Sequence, residues 1–196
     1  MRFFYLTIFL LFCACAPQPA NMNNNGTDII AFGDSLTYGY GAEPEESYPS
    51  VLGEMAGREI INLGVSGDTA ADGLARIDDL KDYNPYMVLI EFGANDYMRK
   101  RPFEQTKQAL SDIVDYVQGR GAIAVLVDTG GPGMGKYTDY MKDLSKQKRT
   151  LFVPAIMAGI FSDPSLKSDI IHPNAKGYKI VAERIYKRIK KHLPPR

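Results

Sequence analysis

A serine, a histidine and an aspartate in this chain have the types and settings that acyl-transfer chemistry requires. The serine is Ser35, in Gly33-Asp34-Ser35-Leu36, reached directly from the apolar run Ile29-Ile30-Ala31-Phe32. That puts a hydroxyl at the carboxyl end of a buried strand, the rim where open α/β sheets bind ligands. A serine hydroxyl is a poor nucleophile at neutral pH and needs a base, usually an imidazole oriented by a carboxylate. Of the two histidines, His192 follows the cationic tail Lys187-Arg188-Ile189-Lys190-Lys191 and reads as solvated surface. His172, in Asp169-Ile170-Ile171-His172-Pro173, is the imidazole that remains, and Asp169 upstream on one turn can reach its second ring nitrogen. Taken singly, a Gly-Asp-Ser-Leu turn and a capping Asp beside a structural His are ordinary features.

Acyl transfer also needs donors for the oxyanion that develops at the attacked carbonyl. Ile60-Ile61-Asn62-Leu63-Gly64-Val65-Ser66-Gly67-Asp68-Thr69 reads as a short strand ending in a turn, where Gly67 can present a bare backbone N–H. Met87-Val88-Leu89-Ile90-Glu91-Phe92-Gly93-Ala94-Asn95-Asp96 reads as a longer buried strand, with the Asn95 amide a donor at the same rim. Each has a plainer use, the glycine in a tight turn and Asn-Asp as turn and cap. A rival pattern, Gly130-Gly131-Pro132-Gly133-Met134-Gly135-Lys136, has the spacing of a phosphate-cradling loop. Tyr137 stands where such a loop needs Ser or Thr to hold magnesium, so no nucleotide is expected. A glycine-rich loop on the substrate side of the sheet is expected instead. One useful histidine and no cysteine pair in the mature domain do not make a typical zinc centre.

These residues need a scaffold that delivers them to one edge. Apolar runs near 28–33, 59–63, 86–92, 122–128 and 150–153 read as strands. Most are continuous rather than alternating, as strands covered on both faces should be. Helices are expected near 47–56, 69–81, 103–119, 136–148 and 174–191. Phe103, Leu110, Ile113, Val114 and Val117 make one apolar stripe, and Tyr178, Val181, Ala182, Ile185 and Ile189 another. The alternation predicts an α/β protein, a three-layer α/β/α sandwich on a five-stranded parallel sheet.

The 196 residues, 45% hydrophobic with zero formal net charge, suffice for one domain with a sizeable core. No basic excess points to nucleic acid. The chain opens as an address: Arg2, the apolar stretch of ten from Phe3 to Phe12, and Phe12-Cys13-Ala14-Cys15 fit a signal peptide over 1–14. A small residue before Cys15 resembles a bacterial lipoprotein cleavage site. Lipid on Cys15 and anchoring to a membrane of the cell envelope are therefore expected, with a soluble periplasmic or secreted protein the alternative. Residues 15–27, rich in Pro and Asn, read as a flexible tether and 28–196 as the domain. Both cysteines lie in the leader, which leaves the mature domain without an internal disulfide or a cysteine nucleophile.

In the order Ser35, Gly67, Asn95 and Asp169/His172, these blocks resemble the SGNH hydrolase family, also called GDSL esterases and lipases. Ser66-Gly67-Asp68-Thr69 with Gly73-Leu74-Ala75-Arg76, then Gly93-Ala94-Asn95-Asp96 and Ile171-His172-Pro173-Asn174, are similar to its thioesterase I/lysophospholipase L1-like and arylesterase-like branch. The resemblance implies a flavodoxin-like SGNH hydrolase fold. It makes Ser35 the nucleophile, His172 the general base and then acid, and Asp169 the orienting carboxylate. The Ser35 N–H, the Gly67 N–H and the Asn95 side chain would form the oxyanion hole. Ester or thioester hydrolysis through an acyl-enzyme, with no cofactor, is the implied activity. Position 37 is Thr, so the Gly-x-Ser-x-Gly elbow of α/β-hydrolases is absent. The thioesterase-like motifs favour a small-molecule or lipid ester, with Tyr38, Tyr40, Tyr97, Met98 and Phe103 as candidates for an apolar groove. A carbohydrate O-acetylesterase, and a non-catalytic binding lipoprotein on the same fold, are the other readings.

Overall fold

The structure, a computed structural model, describes residues 18–194. Among them five strands form one parallel sheet: β1 Asp28–Gly33, β2 Ile61–Gly64, β3 Pro85–Glu91, β4 Ile123–Val127 and β5 Leu151–Val153, in the order β2-β1-β3-β4-β5. The helices are α1 Ser35–Tyr38, α2 Tyr48–Ala56, α3 Ala70–Ala75, α4 Ala94–Met98, α5 Phe103–Gly119, α6 Gly135–Gln147 and α7 Ala175–Ile189. The continuous apolar runs have the expected consequence. Ile29 and Ala31 of β1, Met87 and Leu89 of β3, and Ile123 and Val125 of β4 face a core with α2 and α7. Their neighbours Ile30, Phe32, Val88, Ile90, Ala124 and Leu126 face a second core with α3, α5 and α6. A three-layer sandwich results, because the central strands β1, β3 and β4 bury side chains on both faces.

Two expectations are corrected. The helix expected over 69–81 stops at Ala75, and a 3₁₀ turn covers Ile77–Asp82. Arg76 leaves helical dihedrals (φ −107°, ψ 23°), and its guanidinium reaches back to Asp68 and to the Gly33 carbonyl. Part of the expected tether is not free either. Ala20 N–H donates to the Arg149 carbonyl, the Asn21 amide to Gln118 and Ala122, and the Asn24 amide to Tyr86. Met22 packs on the α2/α7 core. Asn side chains here satisfy carbonyls at the amino edge of the sheet, a use that composition alone does not reveal. The signal peptide and Cys15 lie outside the described residues. Among the described residues no helix is long and apolar enough to cross a membrane.

Strand order reverses between β1 and β3, the crevice where doubly wound sheets bind ligands. Ser35 follows β1 and Asn95 follows β3, and these strands pair in register from Ile29↔Met87 to Gly33↔Glu91.

Candidate active site

Ser35 owes its place to Asp34. This residue turns the chain out of β1 and caps α1, its Oδ1 accepting the Leu36 N–H at 3.0 Å. Ser35 is thus the first residue of a helix, where backbone N–H groups have no intrahelical acceptor and the helix dipole favours negative charge.

The other side chains arrive on the loop before α7. Asn174 caps that helix through Oδ1, and its amide ties back to the Ser165 and Lys167 carbonyls. Lys167 Nζ donates to the carbonyls of Phe161 at 2.8 Å and Ile170 at 3.2 Å, lacing the loop closed. Asp169 Oδ1 accepts two backbone N–H groups, from Ile171 and His172, each at 2.8 Å. Its Oδ2 lies 2.7 Å from His172 Nδ1, and His172 Nε2 lies 3.0 Å from Ser35 Oγ. Burial works to raise the Asp169 carboxyl, but the bonds from His172 and Ile171 outweigh it and hold the group at about 2. An ionised carboxylate only accepts, so Nδ1 carries the ring proton and Nε2 is left to accept from the serine. The Tyr40 ring leans on His172, centroids 4.5 Å apart.

Gly67 and Asn95 meet on the other side of Ser35. Gly67 has φ +90°, which side-chain-bearing residues rarely adopt. Arg76 steadies this turn, pairing with Asp68 at 2.6 Å and bonding the Gly33 carbonyl at 3.0 Å. The Asn95 amide does not wait free, as the sequence suggests. It donates to Asp34 Oδ2 and to the Asp68 carbonyl, both at 3.0 Å. At 7% exposure an unpaired amide would be costly, so the resting site supplies acceptors. Asp96 has different work, accepting from Ala70 N–H at the start of α3 and from Thr106 Oγ1 of α5, both at 2.9 Å.

Ser35, Asn95 and His172 line a cavity of about 400 Å³, walled by Leu36, Tyr97, Met98, Pro132, Met134 and Phe161 among others. Of the aromatic and Met candidates, Tyr97 and Met98 line it. Phe103 packs instead on Tyr137 and Tyr140. The glycine-rich loop is indeed on the substrate side, through Gly131, Pro132 and Met134. Gly133, at φ +79°, lets that loop pass against Tyr97. His192 is half-buried at the opposite edge, its carbonyl accepting from Tyr86 Oη. Sequence reasoning missed Lys167 as a loop strut and Tyr40 as a stacking partner. An aromatic soon after the serine and a lysine before the histidine were the signals on offer.

Fold and site together define an ester hydrolase of the serine type on a doubly wound parallel sheet. Residues 31–180 match the GDSL-like lipase/acylhydrolase family, and the chain belongs to it. The sequence is 31% identical to an arylesterase of Vibrio mimicus, over 96% of this chain and 98% of that one. It is 29% identical to the thioesterase 1/protease 1/lysophospholipase L1 of Escherichia coli strain K12, over 82% of each. The psychrotrophic esterase EstA from Pseudoalteromonas sp., in a crystal structure inhibited by monoethylphosphonate, superposes with a TM-score of 0.74. Its identity is 29%, over 84% of this chain and 97% of that one.

Proposed function

We propose that this serine esterase works through an acyl-enzyme on Ser35, with His172 as base and acid, Asp169 orienting it, and acyl-chain esters or thioesters as substrates. His172 Nε2 takes the hydroxyl proton as Oγ bonds to the carbonyl carbon. The N–H groups of Ser35 and Gly67 and one Asn95 N–H receive the oxyanion. The Asn95 N–H now on the Asp68 carbonyl is the one to be redirected, since the other is tied to buried Asp34. His172 then protonates the leaving oxygen or sulfur as its bond to carbon breaks. A water, deprotonated by the same ring, attacks the acyl-enzyme and frees the acid. The observation that carries this reading is the unbroken line Asp169–His172–Ser35, at 2.7 and 3.0 Å, at the mouth of the cavity. Its walls of Leu36, Met98, Met134 and Phe161 suit an acyl chain better than a sugar.

We also infer export and lipid attachment at Cys15 from the leader. Ala20 is bound at the amino edge of the sheet, opposite the rim that carries Ser35. Five residues reach about 17 Å at most, so an anchor at Cys15 would keep the amino edge of the sheet within that distance of the anchoring surface.

The test is Ser35→Ala against a p-nitrophenyl ester series run beside an acyl-CoA and an acetylated sugar. Activity should fall by several orders of magnitude with the fold intact, because the members of such a triad act as a unit. A serine-directed phosphonate should label Ser35 in the parent and nothing in the variant. Retained turnover in Ser35→Ala removes the reading. A preference for the acetylated sugar removes the acyl-chain assignment alone.

A further inference from the structure

Beneath the serine lie two acids that the steps above do not use. Asp34 and Glu91 are 1% and 0% exposed. Gly33 pairs with Glu91 across β1 and β3, so the residue that leaves β1 stands beside the last residue of β3. That register and the shared burial set the two carboxyls side by side, and the neighbouring Glu91 is one of the causes that raise Asp34. The hydrogen-bond partners of both are neutral. Asp34 accepts from Leu36 N–H and Asn95 Nδ2, and Glu91 accepts from Thr37 Oγ1 at 3.2 Å and Thr129 Oγ1 at 3.0 Å. Among the described residues neither carboxyl has an ion-pair partner.

Two acids side by side in a dry site are costly to ionise together, and one proton held between them removes one of the two charges. We propose that Asp34 and Glu91 hold one proton between them and act as a positioning unit, fixing the Asn95 amide from below so that its second N–H is aimed at the reacting carbonyl. The unit is anchored on all sides. Glu91 is held by hydroxyls from α1 and from the end of β4, Asp34 by the first turn of α1, and Tyr48 of α2 closes the network on Thr37 at 3.0 Å. Pure burial of two acids would serve no packing purpose, since an apolar pair of the same shape costs less. A carboxyl held in this way gives the amide an acceptor that neither moves nor exchanges with water. The assignment rests on reading Asn95 as an oxyanion donor.

The surroundings fix the direction of any pH effect. Burial pushes both carboxyls up, and the charge on Glu91 pushes Asp34 further. The ionisable groups facing them are Tyr48 from α2 and Tyr178 from α7, each raised by burial and then by Glu91. Asp128, at the end of β4, turns to Gly130, Thr138 and Ala155. Arg76, which reaches the Gly33 carbonyl, is paired with Asp68 and Asp79. His172 lies across Ser35 and is tied to Asp169. Since burial raises both carboxyls, the shared proton is held more tightly than on a free acid, and its loss as pH rises would leave two buried negative charges and break the unit.

Glu91→Gln is the decisive variant: one amide N–H takes the place of the shared hydrogen, the threonine hydroxyl facing the other can turn to accept it, and the pair keeps its net charge without an ionisable group at 91. It should cut kcat no more than about threefold, while Glu91→Ala, which removes the bond, should cut it about tenfold or more at little-changed KM. The alkaline fall in kcat of the parent should vanish or move up in Glu91→Gln, with the acid limb unmoved. Infrared spectra at neutral pH should show a protonated-carboxyl C=O stretch in the parent that is absent in Glu91→Gln, a band that reports on the pair whether or not Asn95 is a donor. Thermal unfolding checks that each variant is folded. No such band in the parent, an unchanged alkaline limb in Glu91→Gln, or a Glu91→Gln as crippled as Glu91→Ala would each overturn the proposal.

Discussion

Asp169→Asn separates the orientation of His172 from every other property of its loop. The carboxylate makes three contacts, two from Oδ1 to backbone N–H groups and one from Oδ2 to the ring. An amide has one accepting end and one donating end. If its oxygen faced the ring, its NH₂ would face two backbone donors, and two hydrogen bonds worth about 1 kcal/mol each would be lost with donors left opposed. The amide therefore keeps its oxygen on the backbone and turns NH₂ toward Nδ1. His172 must then accept at Nδ1 and carry its proton on Nε2, which points that proton at Ser35 Oγ. The base is present and correctly placed, in the wrong tautomer.

The cost of that inversion in serine triads is roughly 10⁴-fold in kcat, or about 5 kcal/mol of barrier. Steady-state kinetics on a p-nitrophenyl ester should show this loss at little-changed KM, with the melting temperature nearly kept because the loop retains both backbone bonds. Asp169→Ala should lose a similar factor and also loosen the loop, lowering the melting temperature. The parent's pH profile adds a sign. With its carboxyl held at about 2, Asp169 is ionised throughout any practical assay range. Its depressed value contributes stability that is present above the unfolded value and lost only as pH falls through about 2. At 43% side-chain exposure that contribution is small. If Asp169→Asn kept kcat within about threefold of the parent, tautomer control by Asp169 would be refuted.

Two further predictions follow from the other side of the site and from the leader. Asn95→Ala should lower kcat roughly 10²–10³-fold with little change in KM, the cost of one oxyanion donor, whereas a raised KM at constant kcat would make Asn95 a binding residue. Asp96→Ala is its control: this residue ties α3 to α5, so melting temperature and activity should fall together. With lipid on Cys15 as proposed, the parent should partition into detergent and Cys15→Ser should be released from membranes, and an unlipidated N-terminal mass from the parent would show simple secretion instead.

The layers of this fold were legible because β1, β3 and β4 are continuous apolar runs, which cannot satisfy a sheet with a wet face. The site was legible at Ser35 and His172 because a chain with two histidines leaves little choice of base. What escaped the sequence depends on partners far away along the chain. Helical periodicity runs through Arg76, and only the fold shows that its guanidinium is needed at Asp68 and Gly33. Asn21 and Asn24 read as coil, because the carbonyls they bind belong to residues 86, 118 and 122. Glu91 sits in an apolar strand with no local sign of a companion, since Asp34 reaches it only through the β1–β3 register. Aromatic residues were legible as a set but not by role. Tyr97 lines the cavity, Tyr40 braces the histidine and Phe103 joins the packing of α6.

Carboxyl groups in this site are sorted by surroundings rather than by residue type. Asp169 is part-exposed and collects three donors, so its charge is cheap and always present, which is what a residue that fixes a neighbouring ring must have. Asp34 is buried and meets another acid, so charge there is expensive, and the pair gains by keeping a proton. The two act on opposite sides of Ser35. In the proposed mechanism Asp169 holds the group that removes the serine's proton, and Asp34 holds the amide assigned to the charge that appears on the carbonyl oxygen. A fixed negative charge directly under the oxyanion would work against that step, since it would repel the charge the hole must accept. A shared proton leaves one charge on the pair where full ionisation would leave two, and it keeps Asp34 as an acceptor for Asn95. The same strand ends that place Ser35 and Asn95 thus also limit the negative charge beneath them.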